Sequence, residues 1–128
     1  MGRGLKEMQV FVFDTYALLE IIAGNPSYSK YLNSEIVIND FIFAELCYKL
    51  IRESGVEKAN FYVDKYALFR KELDAKTIKE AMMFRVRHKK KDLSPADCIS
   101  YVMALGLNLK FLTGDMQFEN MENVEFVR

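Results

Sequence analysis

The stretch FVFDTYALLE, residues 11–20, places a short apolar run directly before an acid and a helix-like segment. The run favours a β-strand, and the segment that begins at Thr15 favours a buried helix. A second stretch, FLTGDMQF at 111–118, also ends an apolar run close to an acid. The two stretches predict buried strands whose carboxyl ends carry Asp14 and Asp115.

The rest of the chain alternates strand-like runs with longer helix-like segments. The predicted strands are 9–13, 35–38, 109–112 and 124–127. The predicted helices are Thr15–Ala23, Phe41–Glu53, Glu57–Lys71, Ala75–His88 and Pro95–Leu105. This alternation predicts an α/β fold, a three-layer α/β/α sandwich around a mostly parallel sheet of about four to five strands. In such sheets ligands bind beyond the carboxyl ends of the strands, where both acids fall.

The composition of the chain limits which kinds of protein and which kinds of site it can form. A chain of 128 residues with 51% hydrophobic content predicts a single domain, residues 1–128. Lysine plus arginine and aspartate plus glutamate both number 18, so no overall charge attracts nucleic acid. Cys47, Cys98 and one histidine do not form a His/Cys metal site, and reduced cysteines predict a cytoplasmic protein. We expect neither a signal peptide in MGRGLKEM, residues 1–8, nor a membrane span.

Two further acids have ordinary structural explanations. Glu45 lies four residues before Lys49 on a predicted helix, which suits an ion pair between them. Asp97 follows Ser94 and Pro95 with the spacing of a helix capping box. Asp14 and Asp115 have the same kind of explanation, as a helix N-cap and a turn residue.

The predicted fold nevertheless brings these four acids toward one edge of the sheet. Several carboxylates in a partly desolvated cleft repel one another, and a bound cation removes that cost. Ligands that are all oxygen, with neither sulfur nor imidazole, select hard ions. We therefore expect Mg²⁺ or Mn²⁺.

The order FVFDT, FIFAEL, LSPADCISYVMA and FLTGDMQF resembles that of PIN-domain ribonucleases, and the size of the chain is similar to that of VapC-type toxins of toxin–antitoxin pairs. The resemblance covers residues 10–127. It implies a catalytic, metal-binding cluster made of Asp14, Glu45, Asp97 and Asp115. Thr15 and Thr113 match the hydroxyl residues that often accompany these acids, and Phe118 matches the aromatic residue after T-G-D. The implied activity is metal-dependent hydrolysis of RNA that leaves a 5′-phosphate and a 3′-hydroxyl.

A basic segment, RVRHKKK at 85–91, precedes the SPAD motif and predicts contacts with RNA phosphates. The candidate residues are Arg85, Arg87, Lys89, Lys90 and Lys91. A helix C-terminus that continues into a solvated loop would have the same composition. His88 is expected to belong to this exposed segment rather than to act as a general base.

The resemblance also implies protein partners. The aromatic series Tyr62, Tyr66 and Phe69 has helical spacing, which suits the core or a surface that binds an antitoxin. The apolar helix 15–23 suits either a doubly covered core position or a homodimer interface.

Other functions stay open at this stage. A stand-alone RNA-processing nuclease would have the same sequence features, and a non-catalytic PIN-like scaffold that binds RNA or protein would keep the fold. A receiver-like phosphotransfer domain would also end a strand on an acid. A haloacid-dehalogenase-like domain is disfavoured because it needs a second acid two residues after Asp14, where this chain has Tyr16.

Overall fold

The computed structural model describes residues 8–128. Within this range the chain forms four strands: β1 (Val10–Phe13), β2 (Glu35–Val37), β3 (Lys110–Thr113) and β4 (Val124–Phe126). The four helices are α1 (Thr15–Ala23), α2 (Asp40–Ala67), α3 (Ala75–Arg87) and α4 (Pro95–Gly106). Short 3₁₀ helices cover Pro26–Tyr31 and Met116–Phe118. The interpretation of residues 1–7 as part of the domain, with no signal peptide, lies outside the described residues.

The strands form one parallel sheet in the order β2-β1-β3-β4. The chain moves from β1 to β2 on one side and then crosses back to β3 on the other. Right-handed crossovers therefore place α1 on one face of the sheet and α4 on the opposite face. Both helices contact β1 and β3. This confirms the predicted α/β/α architecture, with a sheet of four strands that is parallel throughout.

The chain leaves β1 toward β2 on one side of the sheet and leaves β3 toward β4 on the other side. A crevice therefore lies at the carboxyl ends of β1 and β3. The strands are the centre of the core: Val12, Phe13, Phe111 and Leu112 are all fully buried. Apolar packing on both faces therefore fixes the strand ends, and with them the residues that follow each strand.

Local signals in the sequence set most helix ends. Gly24, in the left-handed conformation at φ 77°, caps α1, which ends at Ala23 as predicted. Gly55 (φ 82°, ψ 163°) interrupts α2, which is therefore two helical segments that meet at a kink, in agreement with the two helices predicted on either side of it. The second segment ends at Ala67, four residues before the predicted end, and α3 ends at Arg87 with His88 as its C-cap.

Within residues 8–128, none of the helices has the length and hydropathy that a membrane-spanning segment needs.

The C-terminal strand is held close to the β3 end. The hydroxyl of Tyr28 donates to the carbonyl of Val127 at 2.7 Å, and the Val127 N–H donates to the carbonyl of Thr113 at 3.0 Å. These contacts bring the chain against Gly114. A Cβ at this position would lie 2.2 Å from the Val127 carbonyl oxygen and 2.3 Å from the ring of Tyr16. Only glycine fits between them.

We predict that Gly114→Ala lowers the free energy of unfolding by about 2–3 kcal/mol, because the added methyl group must displace backbone or an aromatic ring. Gly106→Ala is the matched control, since a Cβ there has no atom within 4 Å. It should be neutral or stabilise the protein by up to about 1 kcal/mol, since alanine is the better helix former. Urea unfolding of both variants measures the difference, and equal stability would contradict the packing described.

Candidate metal centre

Asp14 follows β1 and is held by three contacts. Its N–H donates to the carbonyl of Leu112 at 2.9 Å, and its Oδ1 accepts from the N–H of Thr15 at 2.9 Å. Its Oδ2 accepts from the hydroxyl of Thr113 at 2.6 Å. The residue is 8% exposed. Asp14 therefore caps α1, as expected, and its orientation is fixed from both sides.

Burial raises the pKa of Asp14 from the ordinary 3.8 to about 7. The hydrogen bond from Thr113 opposes this rise, because it stabilises the carboxylate. The negative charges of Asp97 and Glu45 add to it. Ionisation of Asp14 at neutral pH therefore costs free energy, because burial and the neighbouring carboxylates disfavour the charged form. A cation beside Asp14 would offset that cost.

Asp115 is linked to Asp14 through Thr113. The Asp115 N–H donates to the same Thr113 hydroxyl oxygen at 3.0 Å, and the Asp115 carboxylate accepts from the N–H of Gln117 at 3.0 Å. Phe118, which is fully buried, anchors the short 3₁₀ turn against Phe111 at a ring distance of 5.0 Å. One hydroxyl thus connects the acids at the ends of two neighbouring strands.

Asp97 forms the predicted capping box at the start of α4. Its side chain accepts from the Ser94 N–H at 3.0 Å, and its own N–H donates to the Ser94 hydroxyl at 3.1 Å. Burial raises the pKa of Asp97, the bonds to Ser94 oppose the rise, and the charges of Asp115 and Glu45 add to it. The ordinary role as a helix cap is therefore present, and so is electrostatic contact with the other acids.

Glu45 lies on α2, one turn after the helix begins. Its Oε2 is 3.2 Å from the Nζ of Lys49, which is the ion pair expected from the spacing. The side chain of Glu45 is 50% exposed. Of the four acids it is the one held by the weakest contacts, because an exposed ion pair is easily exchanged for water.

Buried polar side chains hold together the helices that carry these acids. Thr15 donates through its hydroxyl to the carbonyl of Ile42 at 3.3 Å, which ties α1 to the first turn of α2. Asn39, fully buried, caps α2 by accepting from the Ile42 N–H at 2.9 Å. Its side-chain amide donates to the hydroxyl of Ser100 at 3.1 Å, which ties α2 to α4 three residues after Asp97. These bonds fix the helix starts relative to one another.

All four acids line one cavity of about 130 Å³. The remaining lining residues are Thr15, Tyr16, Leu19, Glu20 and Lys49. In residues 8–128, no three His, Cys, Asp or Glu side chains are gathered closely enough to form a ready metal-binding group. The structure therefore places the four predicted acids around a common space without closing them into a coordination sphere. Their chemistry, carboxylate oxygen alone, suits Mg²⁺ or Mn²⁺.

The basic segment lies beside the start of α4. Arg85 donates from Nε to the carbonyl of Leu93 at 3.1 Å, so it joins the end of α3 to the residue before Ser94. Arg85, Lys89 and Lys91 line a second cavity of about 320 Å³. His88 is exposed and stacks on Phe84 at 4.3 Å. Arg85 thus has a structural contact, and all five cations of the segment, Arg85, Arg87, Lys89, Lys90 and Lys91, are exposed.

The sequence does not predict the link between Asn39 and Ser100. The signal is weak, because Asn39 is one of two polar residues, with Asp40, directly before Phe41, and Ser100 is a single polar residue within the apolar run CISYVMAL. The spacing of Lys49 predicts only a surface partner of Glu45, although Lys49 lines the acidic cavity. In the aromatic series, Tyr66 is buried and Tyr62 and Phe69 are half-buried against the core, which favours the core interpretation.

Comparison with known proteins agrees with this fold. Residues 11–124 match the model of the PIN domain family. The fold is similar to that of VapC20 from Mycobacterium tuberculosis, described as a toxin that cleaves the sarcin–ricin loop, with 18% identity and a TM-score of 0.77 over 94% of this chain and 100% of that one. It is also similar to VapBC2 from Rickettsia felis, solved with a DNA fragment of its promoter, with 20% identity and a TM-score of 0.72 over 94% and 100% of the two chains.

A third similar structure is a toxin–antitoxin complex from Klebsiella pneumoniae, with 17% identity and a TM-score of 0.67 over 89% of this chain and 94% of that one. At these identities the three structures establish a common fold. A search of curated proteins gave no match to this sequence.

The raised pKa of Asp14 predicts how stability depends on pH in metal-free protein. A carboxyl whose pKa is higher in the folded state contributes stability below its unfolded pKa of 3.8, and that contribution is lost as the pH rises through about 7. Relative to Asp14→Asn, wild type should therefore lose on the order of 2–4 kcal/mol between pH 4 and pH 8. Urea unfolding in EDTA measures this difference. Asp64→Asn, at an exposed site on α2, should follow wild type. If the free energy of unfolding depends on pH in the same way for wild type and Asp14→Asn, the pKa of Asp14 is not raised.

Proposed function

The chain belongs to the PIN domain family, and on that premise we propose that it is a metal-dependent endoribonuclease, the toxin of a toxin–antitoxin pair. The observation that carries the proposal is the shared cavity. The four predicted carboxylates line it beside Glu20; they come from four separate parts of the fold, and no two of the four are neighbours in the sequence. Helix capping by Asp14, Asp97 and Asp115 and the ion pair of Glu45 explain each acid singly, and they do not explain why all four face one space.

Asp14 and Asp115 are the principal metal ligands in this proposal, because the strand ends and Thr113 hold them most rigidly. Asp97 completes the set, and Glu45 either binds a second ion or orients the attacking water. Thr113 and Thr15 are positioning residues, since the Thr113 hydroxyl orients the Asp14 carboxylate and Thr15 fixes α2 against α1.

The chemistry supplied by bound Mg²⁺ or Mn²⁺ is a lowered pKa for the attacking water and a counter-charge for the phosphodiester. The protein contributes the rest. It holds the carboxylates at a sheet edge, and it shapes a cavity large enough for a few water molecules. Burial around Asp14 lowers the local dielectric, which strengthens each charge interaction there. The products are a 5′-phosphate and a 3′-hydroxyl.

RNA reaches this cavity past the basic segment. The bond from Arg85 to Leu93 keeps the end of α3 next to the start of α4, which carries Asp97. The second cavity combines Lys89 and Lys91 with apolar side chains, including Val86, which is 72% exposed. Such a surface suits an unpaired nucleotide, with its phosphate on the cations and its base on the apolar floor.

The partner proposals follow from the family and from exposed apolar surface. Two of the similar structures are toxin–antitoxin proteins by their descriptions, which supports an antitoxin as a partner here. A groove of about 530 Å³ beside β2 is lined by Tyr31, Leu32, Ile36, Tyr66 and Phe69 among others, and it suits a segment of such a partner. Half-buried Leu19 and Ile22 on α1 support a homodimer. The proposed location is the cytoplasm.

A stand-alone RNA-processing nuclease of the same family is the second candidate, since the cavity would be the same without an antitoxin. A non-catalytic scaffold is disfavoured because binding of protein or RNA alone does not need these four acids around one cavity.

We predict that purified protein cleaves single-stranded RNA with Mn²⁺ or Mg²⁺ and not in EDTA. Asp14→Asn should lower the rate by more than about 100-fold, the upper end of the loss seen when a residue behind a metal ligand is changed. Asp64→Asn is the control for loss of an acid elsewhere. A gel assay of labelled RNA measures the rates, and urea unfolding shows that Asp14→Asn is folded. Cleavage that is insensitive both to EDTA and to Asp14→Asn would refute the proposal.

The basic segment gives a second prediction. The double change Lys89→Gln, Lys91→Gln should weaken RNA binding and reduce the dependence of log K on log salt by roughly 0.7 per lost phosphate contact. The matched control is Lys76→Gln, Lys79→Gln, which removes two exposed lysines from the opposite end of α3. Fluorescence anisotropy in a salt series measures both. Identical slopes for the two double variants would show that residues 89–91 do not contact the RNA.

A further inference from the structure

Lys49 is placed inside the acidic cavity rather than on an ordinary helix surface. Among the residues of 8–128 that line the cavity, it is the one cation, and it faces a space shared with Asp14, Asp97 and Asp115. Its Nζ is 3.2 Å from Oε2 of Glu45. The side chain of Lys49 is 34% exposed, less than that of Arg52 (54%) or Arg70 (46%), which form ion pairs with other acids of the same helix.

Charge explains why an ammonium group belongs there. Five acids, Glu20 among them, surround one space, and no other described residue that lines it is a cation, so the metal-free cavity carries a large excess of negative charge. The Lys49 ammonium offsets part of that charge through Glu45. The contact is nevertheless weak, because both partners are partly exposed and such pairs contribute little to stability. Glu45 is therefore held in the absence of metal without being locked.

A divalent cation and Lys49 would draw on the same Glu45 carboxylate. A carboxylate oxygen bound to a metal loses much of its attraction for an ammonium group, and two cations close together repel each other. Lys49 must then turn away from Glu45. It stays on the wall of the cavity, where the only ligand of opposite charge to arrive during the reaction is the phosphate of the RNA.

We propose that Lys49 is an exchangeable counter-ion: it pairs with Glu45 in the metal-free protein, competes with the divalent cation for that carboxylate, and contacts an RNA phosphate once the cation is bound. This inference rests on the proposed function. It makes Lys49 a regulator of metal affinity and a substrate-binding residue at the same site. An ordinary i, i+4 helix pair would influence neither property.

The two roles predict effects of opposite sign for Lys49→Met, which keeps the length of the side chain and removes its charge. Mn²⁺ should bind the variant roughly 5-fold more tightly, the change expected for loss of one competing exposed ion pair. RNA should bind it more weakly, by about the same factor, when Ca²⁺ fills the site. Lys58→Met is the matched control, because Lys58 is exposed on α2 beyond the Gly55 kink. It should follow wild type in both measurements.

Isothermal titration with Mn²⁺ alone and anisotropy of a labelled single-stranded RNA with Ca²⁺ give the two affinities. Lys49→Arg should restore RNA binding because it restores the charge. If Lys49→Met does not fold, Lys49→Gln replaces it as the uncharged variant. Suppose that wild type binds Mn²⁺ and cleaves RNA, and that the uncharged variant binds Mn²⁺ with an affinity within 2-fold of wild type. That result would overturn the proposed role of Lys49 and leave the proposed function standing. Wild type that binds no Mn²⁺ would overturn both this inference and the proposed function.

Discussion

The hydroxyl of Thr113 is the contact on which the site most depends. It donates to Asp14 at 2.6 Å and accepts from the N–H of Asp115 at 3.0 Å, so a single atom sets the relation between two strand-end acids. The buried polar residues of the described chain are Asp14, Thr15, Asn39, Ser100 and Thr113. Each of them has a hydrogen-bond partner, and together they join β1, β3, α1, α2 and α4. Buried polar bonds are strong and directional, so they fix the geometry of the acids where apolar packing alone would not.

The acids serve the fold and the proposed chemistry at once. Asp14 and Asp97 cap helices, yet burial and neighbouring charges raise the pKa of both. A cap needs only one carboxylate at each helix start, and it gains nothing from another nearby. The protein therefore keeps an electrostatic cost in its metal-free state, which is the usual sign of a site selected for binding rather than for stability. Lys49 reduces that cost from within the cavity.

Local sequence patterns predicted the helices and strands, but they did not predict the contacts between residues that are distant in the sequence. α1 begins and ends at the predicted residues, Thr15 and Ala23, and the predicted capping box at Asp97 is present. The second part of α2 ends early, because residues 69–71 leave the helix and bond to Ile38 beside β2. Such a bond depends on where distant segments meet, so no spacing along the chain encodes it. The same holds for Asn39 and Ser100, 61 residues apart. Convergence of the acids was predictable from their places at strand ends and helix starts, whereas the bonds of Thr113 to Asp14 and Asp115 and the position of Lys49 on the cavity wall needed coordinates.

The central claim is that acids distant in sequence form one divalent cation site at the end of β1 and β3. The most direct test is an anomalous difference map from a crystal soaked in Mn²⁺, with data collected at the manganese absorption edge. We expect a peak in the cavity within coordination distance of the carboxylates of Asp14 and Asp115. If an ordered crystal at millimolar Mn²⁺ shows no peak there, the acids do not form a divalent cation site. A peak with Glu45 and Asp97 still turned away from the ion, toward their helix partners, would also contradict the claim.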